Sequence, residues 1–256
     1  MKKALLIVGG VLVVLVLLVG GLVAVTFMGR KAVTDGLEVG GTRIVADGIV
    51  TVGMLPVGAG QVALIDAGND AEGKAVLAEL SRRQLGPDAV VAIFLTHGHA
   101  DHTGATKLFP QAQVMALERE VALVEGREGA TGPLLRLMPV SPTGITVSRA
   151  LQDGETVMVG DVPVRVFAVP GHTPGSAAYL VNGVLFVGDS ADVASDERLQ
   201  GAPWIFSDSQ ATNRSSLVAL ARRLQEDGVE VTTIAPAHSG VVTDGLAALD
   251  AFARQQ

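Results

Sequence analysis

The sequence predicts an α+β domain in which two packed β-sheets carry helices on their outer faces, behind an apolar N-terminal helix. Three observations predict it: an uncharged run from Ala4 to Met28, short β-branched runs separated by Gly, Asp and Pro turns after Gly41, and a second half that echoes the strand-and-helix order of the first. The 256 residues suffice for one sizeable domain. We expect an anchor over residues 1–31, a linker over 32–40 and a folded domain over 41–256.

Composition excludes several classes of function. The net charge is −7 with no basic block, so we expect no nucleic-acid partner. The chain has no cysteine, which excludes disulfides, thiolate zinc ligands and a cysteine nucleophile. Apolar residues make up 48%, a fraction typical of a globular chain with an added membrane segment.

The apolar N-terminal run predicts a single-pass membrane anchor. A helix of roughly 25 residues spans about 37 Å, whereas a bilayer core is about 30 Å thick. The alternative is a cleaved signal peptide, with an apolar region of about 7–15 residues before a small-x-small site. This run is longer, and residues 23–27 form a poor cleavage site. We therefore expect residues 4–28 to lie in a lipid bilayer as an uncleaved signal-anchor.

The charges that flank this run indicate an orientation. Lys2 and Lys3 join the amino terminus on one side, whereas Arg30 and Lys31 lie on the other. The slight excess at the start favours a cytoplasmic N-terminus. The folded domain is accordingly predicted on the extracytoplasmic (periplasmic) side of the cell membrane, with the cytoplasmic side as the alternative.

Local patterns define the elements of the folded domain. Residues 41–68 predict three strands joined by tight turns, and residues 71–85 show apolar residues at helical spacing. The segment 126–148, rich in Gly and Pro, is too long for an ordinary connection and is a candidate functional loop. Other strands are predicted at 90–97, 112–117, 155–159, 162–169, 177–181, 183–187 and 232–235, and other helices at 118–125, 212–225 and 246–253.

Three of the five histidines fall within LTHGHADHTG, residues 95–104. Side chains two apart in an extended segment point the same way, so His97 and His99 can reach one ion from a strand end. Asp101 and His102 are adjacent and face elsewhere, which suggests a second ion beside the first. Imidazole and carboxylate donors together suit zinc, and also iron or manganese.

The remaining histidines occupy similar positions. His172 lies in VPGHTPGS and His238 in IAPAHSG, each directly after a predicted strand, and Asp189 in LFVGDS also ends a strand. Loops at strand ends are where a rigid scaffold presents chemistry. A lone histidine is usually structural, but crowding several at strand ends serves no packing purpose, so we predict metal binding.

HGHADH, GHTPGS, GDS and AHSG, in this order and spacing, resemble the metallo-β-lactamase-fold hydrolases, with a ligand set like that of glyoxalase II and lactonases. The resemblance covers residues 41–253 and implies a four-layer αββα sandwich with a dinuclear metal centre in the groove between the sheets. It implies that Asp66 in LIDAG supports the ligands without binding the metals; the alternative is a helix or turn cap. The implied metal ligands are His97, His99 and His172 at the first ion, Asp101, His102 and His238 at the second, and Asp189 between the two.

Two such ions imply a hydrolytic mechanism. They hold one water between them and lower its pKa toward 7, which yields a bridging hydroxide as the nucleophile. Asp101 is placed to orient this water and accept its proton, so Asp101 and the bridging Asp189 are the predicted catalytic residues. We expect a metal-dependent hydrolase that cleaves an ester-like bond of a small molecule: a lactone, a thioester or an amide.

Some departures bear on the substrate. The true β-lactamases of the family place Cys or Ser where Asp189 stands, or lack a bridging carboxylate, which counts against a β-lactamase. Glyoxalase-II-type enzymes and many lactonases read GHT-x-GH, whereas Ser176 follows Gly175 here. An iron-containing oxidoreductase or oxygenase on the same fold is the further alternative, although the persulfide dioxygenases of this fold use one iron and fewer ligands.

The segment 190–210 is a predicted lid or pocket wall. It contains Trp204, the only tryptophan, and Phe206. An aromatic side chain over the groove would favour an apolar acyl group, whereas the alternative has Trp204 capping the core. Together with Ser176, these two aromatic residues form the predicted substrate pocket.

Overall fold

The computed structural model describes residues 2–255, except for the side chains at positions 2–9, 11, 12 and 15. The first helix, α1, spans Lys2–Phe27. The predicted anchor over 4–28 falls in part on side chains that lie outside the described residues. Within the described part of the chain, no helix combines the length and the apolar character that crossing a membrane requires.

The first half of the domain forms a seven-stranded sheet. Its strands lie in sequence order, β1 to β7, and the last four of them are parallel to one another. Helix α2, Lys74–Arg82, lies within the predicted range 71–85. The strands are β1 (Glu38–Val39), β2 (Thr42–Asp47), β3 (Val50–Gly58), β4 (Gln61–Ile65), β5 (Val90–Phe94), β6 (Gln113–Leu117) and β7 (Arg149–Leu151), with the short helices α3 (Ala100–Thr103) and α4 (Val121–Val124) between them.

The second half forms a six-stranded sheet in the order β15-β14-β11-β10-β9-β8, with a separate two-stranded ribbon, β12-β13. Only the β11–β14 pair is parallel in the six-stranded sheet. These elements are β8 (Thr156–Val159), β9 (Val162–Ala168), β10 (Ala177–Val181), β11 (Val184–Gly188), β12 (Ala191–Val193), β13 (Leu199–Gly201), α5 (Gln210–Glu226), β14 (Thr233–Pro236), β15 (Val242–Thr243) and α6 (Gly245–Arg254).

Three buried clusters show that the layers stack as an αββα sandwich, as predicted. The central cluster joins the inner faces of both sheets, with Phe94 of the first sheet edge-on to Tyr179 of the second at 5.3 Å between ring centroids. A second cluster packs α2 on the outer face of the first sheet, through Leu80. A third packs α5 and α6 on the second sheet, through Leu217 and Leu249.

The fold brings four strand ends to one groove between the sheets. Strand β5 precedes His97, β9 precedes His172, β11 ends directly before Asp189, and β14 precedes His238. The predicted linker 32–40 contains β1, which pairs with β2 of the first sheet. The long segment 126–148 contacts the segment 190–210, where the amide of Leu134 donates to the carbonyl of Ile205 at 3.0 Å.

Candidate metal centre

Three imidazole nitrogens form a triangle at the base of the groove. Nε2 of His97 lies 3.0 Å from Nδ1 of His99, and Nε2 of His172 lies 3.1 Å and 3.0 Å from these two atoms. The histidines are 1%, 9% and 0% exposed. Three converging ring nitrogens with so little access to water form a donor set for one metal ion, since neutral imidazole offers its lone pair to the metal.

A second donor set lies beside the first. Nε2 of His238 is 3.3 Å from Oδ2 of Asp101, and Nε2 of His102 is 3.9 Å from the same oxygen. The carboxylate of Asp189 faces both sets: its Oδ1 lies 3.1 Å from His102 and 3.2 Å from His238, and its Oδ2 lies 3.5 Å from Nε2 of His172. The structure therefore brings together all seven side chains predicted as metal ligands.

Two buried atoms indicate that the second set fits a cation. Nε2 of His102 and Oδ1 of Asp189 lie 3.1 Å apart, but neither atom makes a well-aligned hydrogen bond within the described part of the chain, although the surrounding protein covers both. A buried polar atom without a partner costs about 1–3 kcal/mol, so such atoms are rare unless they serve a ligand. Nitrogen and carboxylate donors suit a divalent metal such as zinc.

Burial and nearby carboxylates shift the histidine pKa values of the two donor sets in opposite directions. Burial lowers the pKa of His97 well below 6.5, that of His99 to about 4 and that of His172 to about 3, so this triangle stays neutral. Burial also opposes the charged form of His238, but Asp189 and Asp101 outweigh it and raise its pKa to about 10.

The other members of the second set show the same balance. The carboxylates of Asp189 and Asp66 outweigh burial and raise the pKa of His102 well above 6.5. Burial would raise the pKa of Asp101, but the charge of His102 and the hydrogen bond from His238 lower it to about 2. Protons on two histidines therefore occupy the charge position that a second cation would take.

Asp66 lies behind His102, where the sequence predicted a supporting carboxylate. Its Oδ2 is 2.8 Å from Nδ1 of His102, and its Oδ1 accepts a hydrogen bond from the Thr96 amide at 2.7 Å. The residue is 2% exposed and has a φ of 61°, in the left-handed region that residues other than Gly rarely adopt. These contacts hold Nε2 of His102 toward Asp189.

Glu120 supports two ligand loops at once, although nothing in the sequence predicts this role. One carboxylate oxygen accepts from the Gly98 amide at 2.8 Å, and the other accepts from the Gly175 amide and the Thr173 hydroxyl at 2.9 Å each. The loop of His97 and His99 is thus joined to the loop of His172. No local pattern distinguishes a buried glutamate in a short helix, so only the three-dimensional contact reveals it.

The predicted pocket residues have different surroundings. Ser176 is 2% exposed, and its hydroxyl accepts from the Thr173 amide at 2.9 Å, within the loop of His172. Trp204 is 51% exposed and so does not cap the core. Phe206, in the same turn, lies 6.0 Å from the ring of Phe27 at the end of α1. Nothing in the sequence predicts that Phe27 lies at the site.

Comparison with known sequences supports the family resemblance. Residues 47–238 match the family profile described as the metallo-beta-lactamase superfamily. A hydroxyacylglutathione hydrolase of Shewanella sp. (strain ANA-3) is 36% identical over 122 residues, which cover 45% of this chain and 40% of that protein. One from Gloeobacter violaceus is 36% identical over 126 residues, covering 47% and 41%. The matched segment thus spans about two fifths of the length of these relatives.

Solved structures show the same fold. The Rm3 metallo-beta-lactamase superposes with a TM-score of 0.65 at 21% identity, covering 91% of this chain and 94% of that one. A metallo-beta-lactamase family protein from Thermus thermophilus gives 0.60 at 24% identity, covering 85% and 79%. These likenesses show the fold, and the profile match across the four ligand loops establishes that the chain belongs to the metallo-β-lactamase superfamily.

Proposed function

We propose that this chain is a dinuclear metal-dependent hydrolase that cleaves an ester-like bond in a small molecule. One observation carries the proposal: the two oxygens of Asp189 face two separate donor sets, one containing His172 and the other containing His102 and His238. A carboxylate between two adjacent donor sets suits a pair of metals that act on one water.

The chain's own residues have distinct parts in this reaction. His97, His99 and His172 would hold one ion, Asp101, His102 and His238 the other, and Asp189 would bridge them. When bound, two divalent ions supply a nucleophile from water at neutral pH and polarise the scissile carbonyl.

Asp101 is the group we assign to orienting the nucleophile. Its side chain is 27% exposed, against 7% for Asp189, so it faces the open side of the groove. The charge of His102, opposed by burial, keeps the pKa of Asp101 at about 2, so its carboxylate stays ionised and accepts hydrogen bonds at neutral pH.

Zinc is the proposed metal, since imidazoles and carboxylates without thiolate are a frequent zinc environment, and iron and manganese accept the same donors. Thioesters are the first substrates to test, because the curated relatives are named hydroxyacylglutathione hydrolases. Lactones and amides offer a carbonyl to the same centre. The bridging position of Asp189 counts against β-lactams as the main substrate.

The decisive experiment joins metal content to a substrate screen. Protein purified without added metal is analysed for zinc, iron and manganese, then assayed on thioesters, lactones, esters, amides and a β-lactam. His97→Ala and Asp189→Asn should lower turnover at least a thousandfold, whereas Asp153→Asn, in an exposed ion pair with Arg223, should leave it unchanged. Turnover that survives both site variants would refute the proposal, and iron with an optical band would favour the oxidoreductase alternative.

We further propose that the domain is held at the outer face of a cell membrane by the apolar run 4–28, whose end at Phe27 packs against the domain. The absence of any charged residue in that stretch supports this, as do Lys2 and Lys3 before it. Alkaline carbonate extraction of the full chain should leave it in the membrane fraction, and a C-terminal reporter that is active only outside the cytoplasm should report activity. Release by carbonate would contradict the anchor; activity only of a cytoplasm-dependent reporter would contradict the orientation.

A further inference from the structure

The end of α1 lies against the metal centre. The ring of Phe27 is edge-on to the ring of His238, 5.6 Å between centroids at 71°, and 6.0 Å from the ring of Phe206. Nδ1 of His238 faces the carbonyl of Ile49 at 2.6 Å, and Nε2 faces Asp101 and Asp189. Phe27 therefore packs against the imidazole without displacing a partner of either nitrogen.

Hydrogen bonds fix this helix end to the two loops that carry Asp189 and His238. The amide of Lys31 donates to the carbonyl of Val193 at 2.8 Å, and the amide of Ser195 donates to the carbonyl of Gly29 at 2.7 Å. On the other side, the amide of Gly240 donates to the carbonyl of Lys31 at 2.8 Å. The segment after α1 is therefore part of the scaffold of the site.

A buried ion pair fixes the position of the Phe27 ring. Nη2 of Arg30 lies 2.7 Å from Oδ2 of Asp192, and the two side chains are 8% and 3% exposed. The guanidinium carbon of Arg30 lies 4.1 Å from the centroid of the Phe27 ring, a cation–π distance. Because Asp192 already neutralises the guanidinium, the surface around Phe27 offers an apolar ring to a ligand rather than a site for an anion.

The aromatic rings leave surface for a ligand. Phe27 and Phe206 are only partly buried, and Trp204 in the same turn as Phe206 is 51% exposed. Aromatic rings beside a polar centre select for apolar groups, since polar donors fix the reacting atom and the apolar wall binds the remainder. The wall lies on the side of the second donor set, next to His238.

We infer that Phe27, together with Phe206, forms a wall of the substrate site that binds an apolar group of the substrate and sets its preferred length. This inference rests on the proposed hydrolase and names its substrate class: acyl compounds whose apolar chain lies beside His238. The N-terminal segment would then contribute a specificity-determining residue to the active site.

The test measures binding separately from turnover. Full-length, zinc-loaded protein is titrated calorimetrically in one detergent with straight-chain alkyl hydroxamates from acetyl to octanoyl, whose hydroxamate group binds zinc. The wild-type dissociation constant should fall with chain length. Phe27→Ala should raise it about tenfold for the octanoyl compound and less than twofold for the acetyl compound. Detergent partitioning is the same for every variant, so these ratios report on the protein.

Three variants sharpen the result. Phe27→Leu should retain most of the chain-length dependence of the dissociation constant. In the double variant Phe27→Ala/Phe206→Ala, the dissociation constant of the octanoyl compound should rise by less than the product of the two single-variant increases, since the two rings pack against each other. Met158→Ala is the matched control, because Met158 is 57% exposed on β8 at the opposite edge of the second sheet from β14 and β15.

The outcomes are distinguishable. An equal fold-loss of affinity for every chain length in Phe27→Ala would overturn the inferred wall. Chain-length-dependent binding without hydrolysis of any ester, thioester, lactone or amide would refute the proposed function and leave the wall intact. Failure of every hydroxamate to bind would overturn the inferred wall, and the turnover screen would test the proposed function separately.

Discussion

Nδ1 of His102 lies 2.8 Å from Oδ2 of Asp66, which precedes it by 36 residues, and both side chains are almost fully buried. The same carboxylate accepts hydrogen bonds from the amide and hydroxyl of Thr96. An acceptor at Nδ1 keeps one ring proton there and directs Nε2, whose proton a metal must displace, toward Asp189. The chemistry at one end of this imidazole is thus set by a residue that offers the metal no ligand.

Asp66→Asn should weaken the second metal site about 10–100-fold. Its amide nitrogen can replace one of the two oxygens that now face donors at His102 and Thr96, so one of those hydrogen bonds is lost. Competition with a chromophoric chelator measures the affinity for the second equivalent of zinc. Asp88→Asn, an exposed aspartate before β5, is the control. An affinity equal to that of the wild type would show that Asp66 does not orient His102.

The two metal equivalents should differ in pH dependence. The triangle of His97, His99 and His172 is already neutral above about pH 5, since burial lowers the pKa of each ring. His102 and His238 instead hold protons that a metal must displace, the pKa of His238 being about 10. Between pH 6 and 8 the first affinity should change little, and the second should rise at least tenfold per pH unit.

Calorimetry in two buffers of different ionisation enthalpy measures this difference directly. The first equivalent should release almost no protons at pH 7, and the second should release between one and two, approximately. Zinc titration of His238→Gln, which cannot hold that proton, should show a smaller release with the second equivalent. Equal proton release in both steps would contradict the electrostatic separation of the two donor sets.

The sequence predicted the parts of the site that repeat a local pattern. His172, Asp189 and His238 each follow a run of β-branched residues, so their positions at strand ends could be predicted without coordinates. The support beneath them could not, because Glu120 contacts Gly98 and Gly175 across 22 and 55 residues of chain. Such contacts depend on how the two sheets pack, a long-range property without periodicity.

The strands were likewise predictable only in part from the sequence. The hairpins of β2, β3 and β4 were predictable from alternation and from Gly turns, as at Gly48, whose φ is +67°. The ribbon of β12 and β13 was not, because each strand has only three residues. Strands that short carry too few residues to show a period of two.

Glu120→Gln should destabilise the protein by about 1–3 kcal/mol near pH 5. The substitution replaces one side-chain oxygen with an amide nitrogen, so a buried backbone donor at Gly98 or Gly175 loses its acceptor. Burial raises the pKa of Glu120 from its ordinary 4.5 to about 7. The folded state therefore binds more protons than the unfolded state between these values, and this residue's contribution to stability is lost as the pH rises through that window.

The pH dependence of stability distinguishes the effect of the Glu120 charge from the effect of its shape. Urea unfolding at pH 5 and pH 8 should show the deficit of Glu120→Gln narrowing at the higher pH, since glutamine does not ionise. Glu118→Gln, two residues earlier and exposed, should match the wild type at both pH values. A deficit that widens with pH would mean that the buried carboxylate is stabilised in its ionised form.

Removing one partner of the buried ion pair between Arg30 and Asp192 should destabilise the protein more than Glu120→Gln does. Among the described residues, Oδ1 of Asp192 and Nη1 of Arg30 have no hydrogen-bond partner, and burial raises the pKa of Asp192 to about 6 despite the nearby guanidinium. Arg30→Met should cost about 3–5 kcal/mol at pH 8, where the remaining carboxylate is buried without a counter-charge. Unfolding followed by the fluorescence of Trp204, the only tryptophan, measures the loss.

The sign of the pH dependence identifies the cause. The folded pKa of Asp192 exceeds its ordinary 3.8, so its contribution to stability is lost as the pH rises through about 6. Without Arg30 that pKa rises further, and the loss should continue above pH 6, so the deficit of Arg30→Met should be smaller at pH 5 than at pH 8. Arg198→Met, which breaks the exposed pair with Asp196, should cost less than about 1 kcal/mol at either pH. A deficit for Arg30→Met that does not depend on pH would mean that lost packing on Phe27, rather than an unpaired carboxylate, explains the destabilisation.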